Sequence, residues 1–237
     1  MRDTIRWIGQ SGYVLNVRGK RLVIDPYLSD AVFKAEGLRR LVDPPCRPEE
    51  LKADIIVCTH DHADHLDEDT LRRTNQGGTL YCGPASCVAH FRRMGIPLEQ
   101  IQLLTRGTRG QFGDLVIRAV FAAHTPDSVG VVVMARDVAI YFTGDSEYDG
   151  RLAEVGVLLK IDILVCCING KWANMDSLQA ATLAGELKAR IAIPCHYGMF
   201  AENTVDPHEF EAALAGSGTE YRELAYNQEY DVAALTA

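Results

Sequence analysis

Hydrophobic positions along this chain change texture near residue 51. Before it, three short apolar segments at 4–8, 13–17 and 21–24 are parted by Gly9-Gln10-Ser11-Gly12 and Gly19-Lys20. That spacing predicts an antiparallel meander. Residues 28–50 carry neither helical nor strand periodicity, and Pro44, Pro45 and Pro48 discourage a helix through their far end. Such irregular stretches sometimes border a site, although a plain surface loop is commoner.

Beyond residue 51 strands and helices interleave. Apolar runs predict strands at 55–59, 79–82, 101–104, 115–120, 129–134, 138–142, 161–167 and 191–194. Helical spacing predicts helices at 67–73, 84–94, 151–155, 177–188 and 207–215. Pro84 in the first turn and Gly95 past the end punctuate the second of these. Continuous apolar strands such as 163–167 need cover on both faces. An α+β fold layered αββα as a four-layer sandwich supplies it; a doubly wound parallel sheet fits the early hairpins badly. No repeat or linker interrupts the pattern, so one domain over 1–237 is expected.

Composition narrows the function. A formal net charge of −8 argues against a nucleic-acid partner, whose binders carry a basic face. The N-terminal residues show no secretory signal and no apolar run is long enough to span a bilayer, so a cytoplasmic protein without a membrane partner is expected. The seven cysteines have no paired spacing, and Cys58, Cys166, Cys167 and Cys195 lie in apolar runs. This too suits a reducing compartment. Cys195 adjoins His196, but neighbours on a strand face opposite ways, so core packing is its expected role.

The chemistry concentrates in Thr59-His60-Asp61-His62-Ala63-Asp64-His65, directly after the apolar run 55–58. Three of the chain's seven histidines fall there. Imidazole and carboxylate hold zinc, manganese or iron, and a curved loop after a strand lets alternate side chains converge. His124 and His196 also stand just past apolar strands, which nominates both as ligands. Asp145 follows 140–142 and Gly144; alone it would read as a turn or helix-cap aspartate, yet a carboxylate can bridge two cations as imidazole cannot. His90 and His208 fall on helices and read as structural or surface residues.

The cluster at 60–65, followed by His124, Thr143-Gly144-Asp145 and His196, resembles the metallo-β-lactamase superfamily over nearly the whole chain. The resemblance implies the metallo-β-lactamase fold and one or two divalent cations, zinc or manganese with iron as an option. One would sit on His60, His62 and His124, a second on Asp64, His65 and His196, with Asp145 between them. Asp25 resembles the family's supporting aspartate. Flavodiiron members usually carry Glu where His62 stands, so His62 implies hydrolysis rather than redox work.

Within the superfamily, Trp7-Ile8-Gly9-Gln10-Ser11-Gly12, Gly83-Pro84-Ala85-Ser86-Cys87, Gly144-Asp145-Ser146-Glu147-Tyr148 and the loop 169–176 look like the L-ascorbate-6-phosphate lactonase group. His124-Thr125-Pro126 and Tyr197 depart from that group. The implied activity is a metal-dependent hydrolase that opens a small lactone or ester, phosphorylated or not, with hydroxide generated at the cation. Asp64 and Asp145 are the candidate catalytic carboxylates. Lys171 and Asn174, with Tyr148 and Tyr197, are candidate substrate contacts, and Arg106 with Arg109 form a weaker anion site. A phosphodiesterase, a redox di-iron protein and a non-catalytic metal-binding protein are the competing readings. Homo-oligomer formation is suggested by analogy with the lactonase group alone.

Overall fold

Alternate residues of the early strands go to different cores. Tyr13, Leu15, Ile55 and Val57 join one cluster, whereas Val14, Ile56 and Cys58 join another. A strand whose two faces are both buried belongs to an inner layer. The computed structural model, which describes residues 2–74, 77–135 and 137–237, shows what covers each face.

The chain opens with β1 (Thr4–Gly9), β2 (Gly12–Val17), β3 (Lys20–Ile24), α1 (Ala31–Glu36) and β4 (Ile55–Val57). It continues through α2 (Glu68–Thr74), β5 (Leu80–Gly83), α3 (Ala85–Arg93), β6 (Ile101–Leu103), β7 (Arg109–Phe112) and β8 (Leu115–Phe121). Next come β9 (Val129–Ala135), β10 (Val138–Phe142), α4 (Val155–Leu158), β11 (Ile163–Cys167), α5 (Ser177–Leu187) and β12 (Ile191–Cys195). The chain closes with α6 (Pro207–Ala213), β13 (Glu220–Tyr221), β14 (Glu229–Asp231) and α7 (Val232–Leu235).

The strands form two seven-stranded sheets, ordered β14-β1-β2-β3-β4-β5-β6 and β13-β12-β11-β10-β9-β8-β7. β1, β2 and β3 pair antiparallel as the meander predicts, and β3 through β6 run parallel. In the second sheet β7 through β10 alternate and β10 through β13 run parallel. The main core lies between the sheets, where Leu15 and Val57 share a cluster with Ile117, Val131 and Val165. Leu71 of α2 and Phe91 of α3 cover the outer face of the first sheet. Leu183 of α5 and Phe210 of α6 belong to the core of the second. This is the expected αββα sandwich.

The departures lie in short elements. The segment expected to be irregular contains α1, which ends at Gly37 with φ 80° and a bond from its N–H to the Phe33 carbonyl. Six residues are too few for a periodicity to register. The helix gains its stability from Val32, buried with Tyr27, Met199 and Phe200. The helix expected at 151–155 is a 3-10 turn, Gly150–Glu154, leading into α4. β7, β13 and β14 mix charged and apolar residues over two to four positions and leave no readable alternation.

All seven cysteines are free, and all but Cys46 are buried. No helix among the described residues is long and apolar enough to cross a membrane.

One close approach supports the loop that carries the histidines. A Cβ added at Gly83 would lie 2.7 Å from the Cys87 Cβ and 3.0 Å from the Cys58 carbonyl oxygen. Gly83→Ala should therefore destabilise the protein by about 1–3 kcal/mol in urea unfolding, because neither neighbour is a flexible side-chain end.

Candidate metal centre

The first half of the site hangs from one buried carboxylate. β3 ends at Ile24, and Asp25 turns the chain with φ 44°, its N–H still bonded to the Val57 carbonyl. The Asp25 side chain accepts bonds from the Thr59 N–H at 2.7 Å and the Thr59 hydroxyl at 2.7 Å. His65 Nδ1 lies 2.8 Å from Asp25 Oδ2. An ionised carboxylate only accepts, so Nδ1 carries a proton and the Nε2 edge of His65 is turned to the cavity. The Thr59 hydroxyl, donating to Asp25, accepts from His60 Nδ1 at 3.1 Å. His60 is thereby set the same way.

The second sheet delivers the other half. Gly144, after β10, has φ 60°, and a Cβ there would meet Thr59 at 3.1–3.3 Å. The missing side chain lets the turn close onto the first sheet and brings in Asp145. Asn174 Nδ2 donates to Asp145 Oδ2 at 2.8 Å. His124, past β8, donates from Nδ1 to the Ala173 carbonyl at 3.1 Å, which leaves its Nε2 3.2 Å from His62 Nδ1. His196, past β12, has φ 62°, and its N–H is bonded to the Gln10 carbonyl. Non-glycine residues in this region cost of order 1–3 kcal/mol each and persist where the surroundings hold them.

The result is three overlapping donor groups. His60, His62 and His124 form one, Asp64, His65 and His196 another, and Asp145 joins His60 and His65 in a third. His65 Nε2 lies 3.1 Å from Asp145 Oδ1, and His196 Nε2 lies 3.1 Å from Asp145 Oδ2. His196 Nε2 is also 3.4 Å from Asp64 Oδ2. Buried polar atoms are nearly always hydrogen-bonded. Yet His60 Nε2 is buried without a hydrogen-bond partner, and His65 Nε2 and Asp145 Oδ1, 3.1 Å apart, make no bond of good geometry. Orphaned nitrogen and oxygen atoms aimed at one another are what a bound cation would satisfy, and the donor set fits one.

Electrostatics follow the same geometry. Burial alone would lower His65, but Asp145, Asp64 and Asp25 outweigh it and hold it well above the usual imidazole range. Burial likewise opposes the rise of His196, which Asp145 and Asp64 push up to about 9. Burial and the neighbouring His65 drive His60 well below its ordinary value, and burial lowers His124 against the pull of Asp145. Burial works against ionisation of Asp64 and Asp145, yet His65 and His196 hold both carboxyls low. Burial raises Asp25, with the charge and bond of His65 and the Thr59 bonds pulling it back.

The structure thus brings together His60, His62, Asp64, His65, His124, Asp145 and His196, with Asn174 against them. It does not bring three other candidates to the cavity. The Tyr148 hydroxyl bonds Glu186 at 2.8 Å, because its side chain points to the α5 surface. Tyr197 stacks on Trp7 and bonds Glu223 at 3.2 Å, on the other side of the strand end from His196. Lys171 Nζ is bonded to the Glu202 carbonyl at 2.8 Å. Arg106 pairs with Glu154, and Arg109 is bonded to Gln111 at 3.0 Å. His90 bonds Glu68 at 2.7 Å and His208 bonds Asp206 at 2.8 Å, both outside the donor groups. Cys195 Sγ meets the Ser11 hydroxyl at 3.9 Å and also stands outside them.

Two important residues escaped sequence reasoning. Gln10, fully buried in the β1–β2 turn with φ 52°, donates to Asp64 Oδ2 at 2.7 Å and lies 3.0 Å from His196 Nε2. A polar residue between two glycine-flanked strands reads as turn chemistry, and nothing local marks it as inward. Asp67 accepts from Leu28 N, Ser29 N, the Ser29 hydroxyl and both donors of Thr70. It ties the segment carrying α1 to the histidine loop. The cavity above the donors measures about 300 Å³ and is walled by Val32, Glu36 and Leu38 of that segment, with Trp172, Phe200 and Asn203.

Residues 20–197 match the Beta-lactamase superfamily domain, and the chain belongs to that superfamily. A UPF0173 metal-dependent hydrolase of Hyperthermus butylicus is 27% identical over 215 residues, covering 87% of this chain and 89% of that protein. Another from Sulfurisphaera tokodaii is 29% identical over 219 residues, covering 90% and 92%. Among solved structures, a metallo hydrolase of the archaeon Ignicoccus hospitalis superposes with TM-score 0.77 at 22% identity, over 97% of this chain and 98% of that one. That likeness shows the metallo-β-lactamase fold. None of these three names a substrate.

Asp25→Ala leaves the two Thr59 donors and His65 Nδ1 without their acceptor, and should cost about 3–5 kcal/mol of stability in denaturant unfolding. Asp25→Asn should cost less, because His65 can shift its proton to Nε2 and accept from the new amide.

Proposed function

We propose that this protein is a metal-dependent hydrolase with a two-cation site, acting on a small ester or lactone. The observation that carries the reading is a pair of three-residue donor groups flanking Asp145, which joins His60 of one and His65 of the other, with His60 Nε2 buried and without a hydrogen-bond partner. His60, His62 and His124 would hold one cation and Asp64, His65 and His196 the second, with Asp145 common to both. The names of the relatives, metal-dependent hydrolases, support the same class. Divalent cations held there supply Lewis acidity and bring the pKa of coordinated water towards about 7.

The protein's own side chains provide the rest. Asn174 fixes Asp145 and Gln10 fixes Asp64, so neither carboxylate swings as charge develops. Asp64 stands at the cavity floor, where it would orient an attacking water and pass a proton to the leaving oxygen. Asp25 and the Ala173 carbonyl hold His65 and His124 in the ring orientation that turns Nε2 inward. The apolar wall limits bulk water around the reacting group.

Chelator treatment should abolish turnover of an ester and lactone panel, and added zinc or manganese should restore it. His62→Ala with Asp145→Ala should remove metal content and turnover together while circular dichroism stays that of the wild type. Turnover that survives metal removal would refute the proposal. Iron-dependent absorbance that responds to reductant would instead indicate the redox reading.

Cation binding must also displace protons held on His65 and His196. Affinity of the chelator-treated protein for zinc should therefore rise with pH through the range in which His196 titrates, towards about 9. Competition titrations at a series of pH values would check this; affinity that falls over the range counts against the assignment.

A further inference from the structure

The cavity wall carries a statement about the substrate, which rests on the hydrolase reading above. At about 300 Å³ the space sits at the lower end of ligand clefts, which run from about 300 to 1,000 Å³. Val32, Leu38, Phe200 and Trp172 line it, and Glu36 is its one charged residue beyond the donor set among the described residues. Among the described residues, no lysine or arginine lines it. The basic residues adjoining the wall in sequence have partners away from it: Arg39 lies over the Phe33 ring and Lys34 pairs with Asp69. Lys171 bonds the Glu202 carbonyl, and Arg40 lies over the Tyr27 ring while bonding the carbonyls of Tyr27, Ser29 and Val42.

We propose that the substrate is a small ester or lactone whose non-reacting part is apolar and carries no negative charge. A phosphate or carboxylate tail recognised by a protein normally meets arginine, lysine or a nest of N–H groups. Here it would enter between an indole, a phenyl ring and a glutamate. The cost is desolvation of the anion without a partner, plus repulsion from Glu36. The donor floor does not remove this cost, because cations held there would be engaged by the reacting carbonyl and would already be faced by Asp64 and Asp145. Trp172 is 56% exposed, the one wall aromatic with area left for a ligand to cover. Its backbone, with φ 53° beside Ala173 at φ 58°, is held by the Ala173 and Asn174 bonds to the donors. The backbone that carries the indole is therefore held in place beside the donors, which suits a recognition surface.

The test uses three γ-lactones of equal tail length ending in methyl, carboxylate or phosphate, turned over by the zinc-loaded protein. The methyl compound should exceed both anionic ones in kcat/KM by about tenfold or more, the size expected for one close like-charge contact in a partly screened site. Each added methylene should raise kcat/KM about fourfold until the cavity is full. Glu36→Lys should cut the methyl-to-carboxylate ratio. A wild-type preference for the phosphate compound, or a ratio unchanged in Glu36→Lys, overturns the proposal.

Binding gives a readout that needs no turnover. The chain has two tryptophans, and Trp7 is buried, so a ligand on the wall reports through Trp172 fluorescence. The methyl-tailed γ-lactam should change this signal in wild type and leave Trp172→Phe unaltered, and the phosphate-tailed lactam should be weaker. Equal or stronger binding of the phosphate-tailed lactam overturns the inference. If no lactone is hydrolysed but the lactams still discriminate in this order, the hydrolase reading fails and the cavity chemistry stands.

Discussion

The Asp25 carboxylate is the contact on which the site's order depends. Two oxygens in a dry environment take three donors, the Thr59 N–H, the Thr59 hydroxyl and His65 Nδ1. Through the Thr59 hydroxyl the same carboxylate also sets the ring of His60. An isolated charge at that depth would be costly, and the bonds offset the cost only together. Asp25 therefore behaves as a keystone between the ends of β3 and β4. The left-handed backbone at Asp25 is strain kept in place by that same set of bonds.

The second sheet repeats the device with different chemistry. It has no single anchor; each donor is steadied by a neighbour from another element. His124 leans on the Ala173 carbonyl, Asp145 on Asn174, and His196 on the turn at Gln10. A bond from the Val129 N–H to the Thr59 carbonyl, and the contact of Gly144 with Thr59, join the two halves. The centre is thus assembled between layers, and its geometry requires the whole sandwich.

Much of this was legible in the sequence, for a physical reason. Buried strands must be continuous apolar runs, and ligand side chains must follow their ends, so His60, His124, Asp145 and His196 each stand beside a readable signal. The layer order followed from strands needing cover on two faces. What escaped were features set by tertiary contact alone. α1 is short and owes its existence to Val32 packing on Met199 and Phe200. Gln10 looks like any turn residue until His196 and Asp64 arrive beside it from elsewhere in the chain. Tyr148 and Tyr197 lie near ligands in sequence, but a neighbour of a ligand at a strand end faces away from it as often as towards it. Both hydroxyls found glutamates on the outer surface.

The loop at 169–176 has a consequence for how such a protein could change over evolutionary time. One short stretch offers Trp172 to the ligand space, the Ala173 carbonyl to His124 and the Asn174 amide to Asp145. Lengthening or reshaping it to admit a new molecule would disturb two donors at once. The segment around α1 is different: Val32, Glu36 and Leu38 face the same space while contributing no donor and no partner to one. Tacked down by Asp67 at one end and by Arg40 and Leu41 against Met199 and Phe200 at the other, it is a replaceable panel. Divergence in what relatives of this chain accept should accumulate in that panel first, while the loop opposite stays constant in length.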